Sequence, residues 1–201
     1  MHSILSALGN ISLTPTEGEQ SMGPFDLTTL AGLPEEHKPI VANLLRFVKH
    51  SGGTAYFTLH GKKLKAGQTL RRPGAHTDGN YEPVDTTFGA GGGGGWKIGE
   101  NGPGIHTDTH RRQYLSVRGG IILTSNISAC RGWAGQFDGT PRVGGDCSHL
   151  SLGAGFMLAA NTVYYGNNHF IHESLPVAED CHRVFARITM PEDHVFTGEV
   201  C

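Results

Sequence analysis

The sequence has no long hydrophobic run and almost no excess of charge of either sign. No stretch approaches the roughly 18 consecutive apolar residues that span a bilayer, and the first residues lack the charged start and apolar centre of a secretion signal. The 16 basic and 18 acidic residues give a formal charge of −2, so nonspecific binding to nucleic acid is not indicated, although a local basic groove is compatible with that value. We therefore expect a soluble, cytoplasmic protein without a membrane partner.

Cysteine is also scarce, whereas glycine and histidine are abundant. The four cysteines are too far apart for a metal-binding pattern and too few for a disulfide scaffold, which predicts free thiols in a reducing compartment. Five consecutive glycines at 91–95 lack the Lys-Ser/Thr ending of a phosphate-binding loop. The 30 glycines and 12 histidines favour a loop-rich β architecture with a polar site.

The length of 201 residues suits one domain, 1–201, with a core at about 54–190. Apolar residues recur at helical spacing from Ile40 to Val48, which predicts one helix at roughly 35–50 that packs on a sheet. Residues 1–32 are expected to form an irregular arm or an edge strand. Residues 79–114 form a long, polar, glycine-rich insertion, and a loop of that length is a candidate lid over a site.

The rest of the chain predicts short β-strands separated by Gly, Pro and Asn, as in a barrel or sandwich. Expected strands are 54–60, an extended run that ends near 79 after a turn at Gly61–Lys63, 114–117, 120–126, 131–137, 150–152, 156–159, 162–165, 168–177 and 182–189. The last two are expected to form a hairpin. A turn near Val177 would place Arg183 directly across from His172.

Chemically informative residues occur in three places. His76 and Asp78 are two apart, so on a strand both side chains point the same way. With His172 they provide the two imidazoles and one carboxylate that hold non-haem iron(II) and leave three coordination positions open. Arg183 and Arg187 share one face of the last strand, and either could bind the far end of a dicarboxylate; the hairpin register favours Arg183.

A second copy of the motif, His106-Thr-Asp108, lies 30 residues after the first. Its distance from the strand at 120–126 also suits a metal site. We favour His76 and Asp78 because a β-hairpin precedes them, and because the insertion then becomes a loop over the site. His106 and Asp108 remain the alternative pair.

These residues resemble the iron(II)/2-oxoglutarate-dependent dioxygenases, which are built on a double-stranded β-helix, or jelly roll. The matching segments are His76-Thr-Asp78, 120–126, 159–165, His172-Glu-Ser-Leu-Pro-Val177, and Arg183 or Arg187. The resemblance implies a mainly β jelly roll with one N-terminal packing helix. It also implies that His76, Asp78 and His172 hold Fe(II), and that 2-oxoglutarate chelates the iron and pairs with an arginine. The implied reaction hydroxylates a substrate C–H bond and releases succinate and carbon dioxide.

The substrate is not evident from the sequence. A metabolite, a peptide side chain and a nucleobase are all candidates, and Arg71 and Arg72 belong to a possible basic track beside a nucleobase pocket. Two rival functions remain open. One is a non-catalytic jelly-roll structural or binding protein that retains the fold, and the other is a cupin-like metal enzyme that uses no 2-oxoglutarate.

Overall fold

A computed structural model describes residues 1–78, 119–142, 145–191 and 194. The predicted insertion at 79–114, the predicted strand at 114–117 and the alternative pair His106 and Asp108 lie outside these residues. The elements within them are β1 (His2–Ser3), β2 (Leu5–Asn10), β3 (Gly18–Asp26), α1 (Lys38–Leu45), β4 (Thr54–Leu64), β5 (Ile121–Ser125), β6 (Cys130–Trp133), β7 (Gly135–Gln136), β8 (Phe156–Leu158), β9 (Thr162–Gly166), β10 (Ile171–Ser174) and β11 (Cys181–Thr189).

The strands form antiparallel sheets, so the prediction of a mainly β fold is confirmed. The larger sheet has six strands in the order β2-β9-β5-β11-β4-β3, and a three-stranded sheet has the order β10-β6-β8. The short strands β1 and β7 pair separately. Within the described ranges, no helix has the length and apolar character needed to cross a bilayer.

Alternation along β11 separates two hydrophobic layers. Val184, Ala186 and Ile188 are buried in one cluster with Val41 and Leu44 of α1, so the helix covers one face of the six-stranded sheet. The next cluster combines residues of both sheets, which therefore pack face to face; its buried members are Ile121, Leu123, Cys130, Leu158, Tyr164, Phe170 and Phe185. Arg183 and Arg187 have the parity of Phe185 and point into this second layer.

The helix is shorter than predicted. It spans Lys38–Leu45, with a proline in its first turn and with buried residues Val41, Leu44 and Leu45. Residues 35–37 form a turn rather than helix, and Gly52 adopts a φ of 90° after the helix. The apolar spacing predicted the buried stripe correctly. The predicted helix was too long because residues on both sides of the stripe, 35–37 and 46–50, were included in it.

Of the two expectations for residues 1–32, an irregular arm or an edge strand, the edge strand is confirmed for most of the segment. Strands β2 and β3 occupy the two edges of the six-stranded sheet, β2 beside β9 and β3 beside β4. Both ladders contain register shifts, at Ala7/Gly9 and at Gln20/Gly23. Bulges of this kind break the strict alternation by which strands are recognised from sequence.

The predicted turn at Gly61–Lys63 is also wrong, because these residues continue strand β4. Val184, Arg183 and His182 of β11 pair with Gly61, Lys62 and Lys63. Glycine is required at 61 by close approach rather than by a turn, since a Cβ there would lie 1.7 Å from the carbonyl oxygen of Thr16. The lysines are exposed, which is why the segment resembles a polar loop.

The predicted hairpin of the last two strands does not form. β10 pairs with β6, whereas β11 pairs with β4 and β5, so the two strands belong to different sheets. After Ser174 the chain crosses between sheets: the N–H of Leu175 donates to Ala129 and the N–H of Val177 donates to Gln68. Arg183 is therefore not paired across from His172, and the register argument that favoured it does not hold.

Two smaller expectations have different outcomes. Residues 150–152 do not form a strand; Leu150 and Leu152 instead pack against a cluster that contains Trp133. The three cysteines in the described ranges, Cys130, Cys147 and Cys181, are free thiols, as predicted.

Candidate metal and anion site

A short extended segment places His76 beside strand β10. The N–H of His76 donates to the carbonyl of His172, and the N–H of His172 donates to the carbonyl of His76, each over 2.9 Å. The two histidines therefore form a directly opposed antiparallel pair, and such residues project their side chains to the same face. On its other side His76 bridges to Asp146, which fixes the segment within the fold.

Asp78 completes a compact group with the two histidines. Its Oδ2 lies 3.2 Å from His172 Nε2, its Oδ1 lies 4.0 Å from His76 Nε2, and one ligand atom from each residue lies within 4.8 Å of the others. The exposed fractions of His76, Asp78 and His172 are 4%, 3% and 5%. The structure thus brings together three predicted site residues in a group that could hold a metal ion.

Backbone carbonyls orient both imidazole rings. His76 Nδ1 lies 2.7 Å from the carbonyl oxygen of Gly74, and His172 Nδ1 lies 3.2 Å from that of Phe170. A carbonyl only accepts, so each Nδ1 carries the hydrogen and each Nε2 is left with its lone pair. Both lone pairs belong to the atoms that approach Asp78. This arrangement is typical of metal-binding histidines, whose second nitrogen usually donates to a fixed acceptor.

The electrostatic environment favours the protonation states that a cation requires. Burial and the neighbouring His172 together lower the pKa of His76 to about 3, so its imidazole is neutral near pH 7. Burial alone would raise the pKa of Asp78, but the charge of Arg187 holds that pKa well below its ordinary value. A neutral nitrogen donor and an ionised carboxylate are therefore present together.

Arg187 contacts the acidic member of this group. Its Nη1 donates to Asp78 Oδ2, and both side chains are 2% exposed. The ladder places Arg187 between Thr58 of β4 and Leu123 of β5, at the centre of the six-stranded sheet. Its guanidinium supplies the buried counter-charge that an ionised Asp78 needs.

Arg183 is fully buried but has a different set of partners. It donates from Nη1 to Ser174 Oγ over 3.0 Å, from Nη2 to Cys130 Sγ over 3.0 Å and from Nε to Ser125 Oγ over 3.4 Å. All three partners are uncharged, and Arg183 forms no ion pair with a carboxylate in the part of the chain that the structure describes. Burying a guanidinium on neutral partners alone is costly, which marks this position as able to accept an anion.

Three residues that the sequence analysis did not assign to the metal or the co-substrate line the same layer. Ser174 lies two residues after His172 and links β10 to Arg183. Thr189, two residues after Arg187, has a buried Oγ1 without a hydrogen-bond partner among the described residues. Arg71 reaches the layer from the segment before His76 and lies over the ring of Phe185. The parity of β10 and β11 could have identified Ser174 and Thr189, whereas Arg71 depends on the path of a loop.

Comparisons with models of known protein families, with characterised proteins and with solved structures found no match.

Proposed function

We propose that this protein is a non-haem iron(II)/2-oxoglutarate-dependent dioxygenase that hydroxylates a C–H bond of its substrate and releases succinate and carbon dioxide. The observation that carries this proposal is the convergence of His76 Nε2, Asp78 and His172 Nε2 in one buried group within 4.8 Å. Two imidazoles and one carboxylate form the donor set that iron oxygenases use, because it leaves coordination positions open. The face-to-face antiparallel sheets are compatible with a double-stranded β-helix.

The residues present fit the proposed metal. Both Nε2 atoms have free lone pairs since Nδ1 donates to a backbone carbonyl, and the low pKa of Asp78 keeps its carboxylate ionised. His76 and His172 are fixed relative to each other by two backbone hydrogen bonds, so the donor set is ordered by the sheet itself. Iron(II) bound there would supply the site for the 2-oxo acid and dioxygen and for oxidation of the substrate.

We assign Arg183 to the far carboxylate of 2-oxoglutarate, now on its contacts rather than on the hairpin register. Ser174 stands two residues after His172 on the same face of β10, a separation of about 6.7 Å along a strand. That length is comparable to a five-carbon diacid, and Arg183 Nη1 is held 3.0 Å from Ser174 Oγ at the distant end. A carboxylate at this end would give the buried guanidinium its missing counter-charge.

In this proposal, Arg187 orients the metal-binding carboxylate of Asp78. By donating to Asp78 it keeps the carboxylate ionised and directs it toward the two imidazoles. It is also the other candidate for the diacid, because Thr189 Oγ1 offers a buried hydroxyl on the same face two residues away. The two assignments differ in what they predict: loss of Arg183 removes diacid binding with metal binding intact, whereas loss of Arg187 weakens both.

Apolar side chains also border the proposed site. Phe170 and Phe185 are 0% and 3% exposed and belong to the hydrophobic layer between the sheets. Phe170 stacks on His172, with ring centroids 5.3 Å apart. Apolar walls of this kind strengthen charge interactions inside the site.

The direct test is anaerobic addition of iron(II) and 2-oxoglutarate, followed by visible absorption. The wild type should develop the weak charge-transfer band of the chelate, and Asp78→Ala and His172→Ala should not. Asp180→Ala and His182→Ala are matched controls, because Asp180 is exposed and pairs with Lys65, and the His182 ring hydrogen-bonds to the carbonyl oxygen of Thr16. Thermal melts of every variant would separate loss of the site from loss of the fold.

The alternative pair is tested in the same experiment. If Asp78→Ala retains the band and Asp108→Ala loses it, the second motif supplies the metal ligands. If the wild type binds iron but not 2-oxoglutarate, the cupin-like function gains support. If it binds neither, the non-catalytic function does.

A further inference from the structure

Arg71 is a third arginine directed into the layer between the sheets. Its guanidinium lies 5.3 Å from the centre of the Phe185 ring, and its backbone N–H donates to Ser174 Oγ over 3.4 Å. Its Nη1 also lies 3.3 Å from a ring nitrogen of His60. Arg71 thus contacts Ser174, which also binds Arg183, and Phe185 on the inner face of β11.

Within the described part of the chain, the charges in this layer do not balance. Arg71, Arg183 and Arg187 contribute three positive charges, whereas Asp78 is the one buried carboxylate among the described residues. A divalent metal ion and a dicarboxylate would cancel each other, so a surplus of two positive charges would remain after both had bound. Arg71 forms no ion pair with a described carboxylate, and the carboxylate of Glu19 lies 3.0 Å from Nε2 of His60.

Burial makes this surplus costly at Arg71. Desolvation and the charge of Arg187 lower the pKa of Arg71 to about 10, which shows that its cationic form is destabilised where it lies. His60 offers no compensation, since burial and Arg71 lower its pKa to about 4 and leave it neutral. An anion beside Arg71 would relieve both effects.

Space for a ligand adjoins this arginine. A cleft of about 650 Å³ is lined by His60, by Leu70, which directly precedes Arg71, and by Lys62 and Lys63 at its rim. Glu17 and Glu19 also line it and pair with Lys63 and His60. The cleft therefore reaches His60, whose ring contacts Arg71.

We propose that Arg71 anchors a carboxylate or phosphate group of the substrate that is oxidised, so that the substrate of this protein is an anion. This rests on the proposed function, because it assumes that the co-substrate uses the arginines of β11. The Phe185 ring beneath the guanidinium holds the planar fork in place while its edge stays available to an anion. Arg71 is then a substrate-specificity residue rather than a co-substrate residue.

The test uses the protein loaded anaerobically with iron(II) and one equivalent of 2-oxoglutarate. Acetate and inorganic phosphate are titrated in separate calorimetric experiments, with ionic strength held constant by chloride. One of the two should bind saturably at one site, and Arg71→Gln should weaken that binding by about 10- to 100-fold, the value of a hydrogen bond to a charged group. Acetate and phosphate distinguish a carboxylate from a phosphate substrate.

The matched control is Arg46→Gln. Arg46 also lies over a phenylalanine ring, at 4.6 Å from the centre of Phe47, but it is exposed at the end of α1 on the other face of the sheet. Anion binding should be unchanged in this variant. Arg71→Lys keeps the charge without the fork and should show an intermediate loss, which guards against a folding defect in Arg71→Gln.

Three outcomes would overturn the inference. They are the absence of saturable binding of either anion, wild-type anion binding by Arg71→Gln, and a loss of 2-oxoglutarate affinity in Arg71→Gln that would assign Arg71 to the co-substrate. Repeating the titration without iron and 2-oxoglutarate separates this inference from the proposed function. If the wild type forms no chelate but binds the anion through Arg71, the proposed function fails and the anion site stands.

Discussion

Replacing Arg183 by methionine should leave the fold as stable as before while strongly weakening co-substrate binding. The substitution removes a fully buried guanidinium that has no acidic partner among the described residues and puts an apolar chain of similar length in its place. Exchanging buried charges for well-packed hydrophobic residues is often neutral, or stabilising by about 1–4 kcal/mol. The hydroxyls left behind keep other partners: Ser125 Oγ donates to Val184, and Ser174 Oγ accepts from Arg71.

Arg187→Met, unlike Arg183→Met, should destabilise the fold. Arg187→Met leaves Asp78 ionised, buried and without its guanidinium, and breaking a buried pair in this way costs about 3–5 kcal/mol. The two arginines lie four residues apart on one face of one strand and are equally buried. The difference in the free energy of unfolding should therefore reflect the partner of each arginine rather than its position.

Urea denaturation followed by circular dichroism measures both variants. We expect the unfolding free energy of Arg183→Met to be no more than about 1 kcal/mol below that of the wild type. The unfolding free energy of Arg187→Met should fall by about 3–5 kcal/mol. The charge-transfer titration of Arg183→Met should show a loss of 2-oxoglutarate affinity of about 30-fold or more, equivalent to truncating one partner of a buried charge pair. A loss of more than 3 kcal/mol in Arg183→Met would mean that its neutral hydrogen bonds offset the cost of burial. Arg183 would then be a structural residue.

Two further predictions concern the scaffold. Gly61→Ala should destabilise the protein by about 2 kcal/mol or more in urea denaturation, because its Cβ would collide with the backbone of Thr16. An unfolding free energy within about 0.5 kcal/mol of the wild type would refute the close approach. Burial lowers the pKa of His169 to about 4, below its ordinary value of 6.5. Between these two pH values the unfolded state binds more protons than the folded state, so the free energy of unfolding falls as the pH decreases from 6.5 toward 4. The expected slope is up to about 1.4 kcal/mol per pH unit. His169→Gln should flatten that slope in urea denaturation across this pH range, and an unchanged slope would contradict the shift.

The sequence was sufficient for features that depend on residue type and local parity. His76 and Asp78 were expected on one face, and Arg183 and Arg187 on another, because alternation along a strand requires no knowledge of its neighbours. The stripe at Val41, Leu44 and Leu45 was likewise legible from its spacing. These are short-range properties of the chain.

Features that depend on pairing between distant segments could not be predicted. Two adjacent strands of the sequence are most simply joined as a hairpin, but the crossing at Leu175–Val177 places β10 and β11 in different sheets. The contact between His76 and His172 joins residues 96 positions apart and is fixed by β10. Gly61 and its exposed lysines resemble a loop until β11 and the backbone of Thr16 are known to lie beside them.

The central claim is that His76, Asp78 and His172 hold iron(II). A crystal structure of the protein loaded anaerobically with iron(II) and 2-oxoglutarate, with anomalous diffraction recorded at the iron absorption edge, measures this directly. We expect one iron peak bonded to His76 Nε2, Asp78 and His172 Nε2, with the diacid extending toward Arg183. An iron peak bonded to His106 and Asp108, or the absence of iron from the space between His76 and His172, would contradict it.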